Sequence, residues 1–86
     1  MPTVFIAHGV RYVVYPNDHA PPHVHVRKAR MLAKIALQPE VVLLRYDKDF
    51  SIADLRKMIS IIKDNQDFLL IKWNELHPDD DDNEGR

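Results

Sequence analysis

The sequence predicts an α+β domain: an antiparallel meander of four or five strands, followed by one or two C-terminal helices packed on its apolar face. Two observations carry this expectation. Short runs of β-branched and aromatic residues alternate with polar ones as far as Arg45, and from Ile52 onward apolar residues recur at a spacing of three and four.

Thr3 to Ala7 and Val10 to Tyr15 read as the first two strands, and Gly9 between them supplies the positive φ that a tight hairpin favours. Pro16, Pro21 and Pro22 lack backbone donors, so the next stretch is an irregular connection rather than a sheet interior. From His23 to Arg27 the alternation is strict. Val24 and Val26 fall on one face and His23, His25 and Arg27 on the other. A turn near Lys28 to Arg30 leads into a return strand, Met31 to Leu37. Met31, Ala33, Ile35 and Leu37 share its apolar face, and Lys34 lands beside the histidines. Gln38-Pro39-Glu40 breaks the chain, and Val41 to Arg45 forms a fifth, short strand at an edge.

Ser51 is a favourable helix N-cap, and Asp54 suits the positive end of a helix that starts at Ile52. The apolar stripe runs through Ile52, Leu55, Ile59, Ile62, Gln66, Leu69, Trp73 and Leu76. As one helix it would be about 37 Å long, more than so small a domain covers, and Asp64-Asn65-Gln66 divides it into two. Trp73 belongs to the stripe as a core anchor.

A chain of 86 residues supports one core, expected over residues 1–77, with residues 78–86 as an acidic disordered tail. Four aspartates and one glutamate against Arg86 give residues 79–86 a charge of −4, which leaves +3 on residues 1–78 out of the formal −1. That body is mildly basic and compatible with nucleic acid. The absence of cysteine excludes disulfides and thiolate ligands. Apolar runs such as Val41-Val42-Leu43-Leu44 fall far short of the ~20 residues of a membrane-spanning helix. Met1 to Phe5 lack the pattern of an export signal. The expectation is a soluble, cytoplasmic protein with no membrane partner. With Gly9 and Gly85 as the only glycines there is no phosphate-cradling loop, and no serine stands beside a histidine as a nucleophile would.

The chemistry concentrates between Asn17 and Val26, which hold three of the five histidines, an aspartate and a proline pair. Asp18, His19, His23 and His25 are the candidate catalytic residues, and Arg27, Lys28, Arg30 and Lys34 the candidate nucleic-acid-binding residues. Histidines move protons near neutral pH, and arginine grips phosphate oxygens in two-pronged fashion; together they suit attack by a ribose 2′-hydroxyl on RNA. Tyr12 or Tyr15 is placed to stack a base. A second reading is metal. His23 and His25, roughly 6.6 Å apart along a strand, converge on one ion, with His19 and Asp18 completing a three-ligand open site, although no metal site and no cofactor is assigned from sequence. A third reading is structural, with Asp18 and His19 capping the loop and the protein docking a partner.

Met1-Pro2-Thr3, Gly9, Arg11, Asn17-Asp18-His19, Pro21-Pro22-His23-Val24-His25-Val26, Ala33-Lys34-Ile35, Phe50-Ser51, Asn65, Leu69-Leu70 and Trp73 together resemble the bacterial family called domain of unknown function 4160. The resemblance covers about residues 1–77. It implies a component of a toxin-antitoxin-like pair, with a small cognate protein encoded nearby. Many relatives have glycine where this chain has Ala29, so the resemblance leaves that turn open. The leading expectation is a protein acting on or with RNA; a metal-binding enzyme and a non-catalytic interaction module are the alternatives.

Overall fold

A computed structural model describes residues 3–78. Five strands form one antiparallel sheet in chain order: β1 (Thr3–Ala7), β2 (Val10–Val14), β3 (His23–Lys28), β4 (Met31–Ala36) and β5 (Val42–Tyr46). Two helices follow, α1 (Ile52–Asp64) and α2 (Gln66–Leu76). The meander and both helices match the expectation, and the acidic run from Asp79 lies outside the described residues.

Each hairpin follows from its turn residues. Ala7 pairs with Val10, so His8-Gly9 is a two-residue loop, and both residues have positive φ, 54° and 75°, as a twist-matched hairpin requires. Lys28 pairs with Met31, which centres the third turn on Ala29-Arg30. Ala29 takes φ 55°, so this chain holds an alanine in the left-handed region where glycine is favoured. Between β4 and β5 the register slips at Lys34/Ile35: Arg45 pairs with Lys34 and Leu43 with Ile35, leaving Leu44 as the bulged residue.

Strand alternation then sorts the side chains. Tyr12, Val24, Val26, Ala33 and Ile35 are buried against Met58 and Ile62 of α1 and Leu69 and Trp73 of α2. At ~25 cal/mol per Å² of apolar surface, each buried Val, Ile, Leu or Met among them stabilises the fold by roughly 1.5–3 kcal/mol. The opposite, outer face holds Arg11, His25, Arg27 and Lys34.

Ser51 caps α1 as expected, its hydroxyl accepting from the Asp54 backbone N–H at 3.0 Å. The helices part at Asn65. Its side-chain amide donates to the Ile61 carbonyl at 2.8 Å, so the last turn of α1 is closed locally. Gln66, the polar member of the apolar stripe, donates to the Leu37 carbonyl at 2.7 Å and ties the start of α2 to the chain just beyond β4. One end of the stripe departs from expectation. Ile52 is 69% exposed, while Met58, which the stripe did not include, is buried in the core.

Candidate functional site

The loop between β2 and β3 swings Asp18 over the start of β3. Its Oδ2 lies 3.1 Å from Nε2 of His23 and 2.9 Å from Nε2 of His25, so two imidazoles share one carboxylate oxygen. The other ring nitrogen of His23, Nδ1, lies 2.9 Å from the carbonyl of Pro21. A carbonyl only accepts, so Nδ1 carries a hydrogen. The proline pair thus fixes the His23 ring by presenting a backbone oxygen to it.

The two histidines differ in setting. His25 sits in the middle of the ladder, opposite Val13 on β2 and Lys34 on β4, and remains partly exposed. His23 is 4% exposed, which corrects its placement on an open polar face. The reason is where β2 stops. The last β2 residue paired with β3 is Val13, opposite His25, so His23 is paired with Ala36 of β4 but has no strand on its β2 side, and Trp73 of α2 packs against it with ring centroids 5.1 Å apart. The His25 ring stands edge-on to both His23 and Tyr15, at centroid distances of 5.2 and 5.1 Å.

Asp18, His19, His23, His25, Lys34 and the bulged Leu44 line an open cleft of about 320 Å³. His19 borders this cleft but is not among the donors that converge on one point, which are Asp18, His23 and His25. Tyr15 is half-exposed beside His25, whereas Tyr12 is buried in the core and removed from any role in base stacking. His77, which sequence reasoning passed over, stacks on Trp73 with centroids 3.8 Å apart. Its Nδ1 meets the Trp73 carbonyl, and its buried Nε2 has no partner among the described residues. No local pattern signalled it: the position is set by where α2 ends.

The basic residues divide between the faces. Lys28 follows the parity of Val26, points to the helices, and donates to Asp54 of α1 at 2.7 Å, so it does not join the histidine face. Arg27 lies on the outer face directly opposite Arg11, and Lys34 lies between His25 and Arg45 in a single row across β3, β4 and β5. Arg30 is exposed at the turn. The five strands together contain no acidic residue. Among the described residues, no carboxylate lies within ion-pair distance of Arg11, Arg27, Lys34 or Arg45.

The family model for domain of unknown function 4160 matches residues 9–74, which takes in the whole Asp18–His23–His25 cluster and the row of cations beside it. The chain belongs to that family. No curated protein and no solved structure matches it. The match ends before His77, so the Trp73–His77 stack joins a residue inside the DUF4160 match to one beyond it. Among the described residues, no helix is long and apolar enough to cross a membrane.

Proposed function

We propose that this DUF4160 protein binds RNA along its outer sheet face and acts on the strand at the Asp18–His23–His25 cluster. The observation that carries this reading is the pair of like-charged cross-strand neighbours, Arg11 opposite Arg27 and Lys34 opposite Arg45, on strands without a single acid. Like charges directly opposite each other destabilise a sheet, so an arrangement that repeats the cost twice points to an anionic partner that relieves it. A phosphate backbone supplies that charge at regular intervals. Tyr15, edge-on to His25, offers a surface for one base. His19 and Lys34 line the cleft with the cluster, and in this reading His19 carries a proton and Lys34 holds a phosphate oxygen.

The cellular role that fits is an RNA-directed component of a toxin-antitoxin-like pair in the bacterial cytoplasm, held in check by a small cognate protein. Expression in a bacterial host is expected to arrest growth, and Arg27→Ala or His25→Ala to relieve the arrest while the protein still accumulates. The purified protein is expected to bind a single-stranded RNA oligonucleotide at low salt. Harmless expression together with absent RNA binding would overturn this reading.

A second reading, docking of a protein partner, is favoured by β5 alone. It is an edge strand with Val42, Leu44 and Tyr46 exposed by 42%, 50% and 50%, a combination that folded proteins usually cover. Leu44→Glu abolishing co-purification of a cognate protein, with RNA binding intact, would support it.

A further inference from the structure

The donor geometry at the cluster asks for a positive charge. With its hydrogen on Nδ1 committed to the Pro21 carbonyl, a neutral His23 turns the lone pair of Nε2 toward Asp18 Oδ2, 3.1 Å away. Lone pair then faces carboxylate in a site where His23 is 4% exposed and walled by Trp73. Left so, this contact is repulsive and poorly screened. A proton on His23 would settle that one contact. His25, with its hydrogen on Nε2, can donate to the same oxygen at 2.9 Å, but a single cation would answer both contacts at once, because one atom from each of three side chains falls within 4.8 Å of the others.

We propose that Asp18 Oδ2, His23 Nε2 and His25 Nε2 hold a divalent transition-metal ion of borderline softness, of which zinc is the type. Two imidazoles and a carboxylate are a donor set such ions accept, and the cleft beyond the cluster leaves a further coordination position for water or a substrate oxygen. The Nδ1–H of His23 on a backbone carbonyl is the outer-shell contact that fixes tautomer and ring direction in metal-ligating histidines. Donors about 2.0–2.2 Å from zinc in tetrahedral array stand roughly 3.3 Å from one another. The two separations to Asp18, 2.9 and 3.1 Å, require a few tenths of an ångström of opening, and the two imidazole nitrogens, within 4.8 Å of each other, would draw together over the ion. This inference depends on the cluster alone and stands apart from the RNA reading.

The test is calorimetric titration of zinc into the chelator-stripped full-length protein at pH 7.5, with cobalt as a spectroscopic probe. One-to-one zinc binding at micromolar dissociation constant or tighter is expected, as are visible cobalt bands typical of low coordination number. Asp18→Asn and His25→Ala are each expected to weaken zinc by at least about 100-fold, as loss of a direct ligand exceeds the 10–100-fold typical of outer-shell changes. His19→Ala and Lys34→Ala are expected to leave binding unchanged. Because His23 is buried against Trp73, His23→Ala is read only beside a circular dichroism spectrum, and the Asp18 and His25 variants decide. Absence of zinc binding, or binding that survives both Asp18→Asn and His25→Ala, would overturn the proposal. Arg11→Gln keeps every ligand, so loss of RNA binding with zinc binding intact in that variant separates the two readings.

Discussion

Lys28 at the end of β3 reaches across to Asp54 in the first turn of α1, its ammonium donating at 2.7 Å, and so bolts the sheet to the helical layer. The hydrogen bond from Lys28, with a smaller contribution from Ser51, holds the Asp54 carboxyl below its ordinary value of 3.8. A carboxyl whose folded pKa is depressed contributes stability that is fully present above its unfolded pKa and is lost as pH falls through the folded one.

The first prediction follows from that sign. Wild type is expected to melt above Asp54→Asn at neutral pH, and the gap to close as pH drops below about 4. The Ser51 cap accepts from the Asp54 backbone and is retained in the variant, so melting curves across pH isolate the side chain. A gap that is constant down to the acid limit would show that Asp54 does not titrate in contact with Lys28.

Tyr12 makes the opposite case. Its ring is part of the core, but its hydroxyl is buried without a partner among the described residues, and burial raises its pKa above 10.0. Tyr12→Phe keeps the ring and removes the orphan hydroxyl, so stability is expected to rise by on the order of 1 kcal/mol in urea unfolding. Above pH 10.0 the unfolded chain ionises this phenol while the folded protein resists, so wild type is expected to lose stability with rising pH more steeply than Tyr12→Phe.

The meander was legible because the alternation is strict, and the same alternation placed Val24, Val26, Ala33 and Ile35 in the core and His25 opposite Lys34. Carried one residue further, it assigns Lys28 to the helix face with Val26; grouping Lys28 with the turn charges overlooked this. The break at Asn65 was equally readable, since a single stripe was too long to be covered. His23 was not. Whether a residue at the start of a strand is open depends on whether its neighbour strand is still beside it. β2 leaves after Val13, and a tryptophan from the last helix takes its place. Such placement is tertiary, as is the position of His77 beyond α2.

The role of Trp73 as a wall for His23 yields the third prediction. Trp73→Ala removes a side chain that is 1% exposed, and a loss of roughly 3–5 kcal/mol is expected from urea unfolding. Trp73→Phe retains part of the wall and is expected to lose less. If His23 is held by its Pro21 contact alone, its ring resonances in nuclear magnetic resonance spectra will be the same in Trp73→Phe as in wild type; a displaced and broadened signal is expected instead.

The last prediction separates the two faces of the sheet. If Arg11, Arg27 and Lys34 contact phosphates, replacing each by a neutral residue lowers the slope of log affinity against log salt by roughly 0.7 for a single strand. Lys28→Met, on the helix face and already paired with Asp54, is expected to leave that slope unchanged while lowering the melting temperature. Arg11→Gln is expected to do the reverse, because it relieves a like-charged pair whose repulsion is worth roughly 0.2–1 kcal/mol to the sheet. Stability that is maintained or gained as RNA binding is lost is the signature of a residue kept for its ligand. Equal slopes for Lys28→Met and Arg11→Gln would mean that binding follows net charge alone, and the outer face would have no special claim to the RNA.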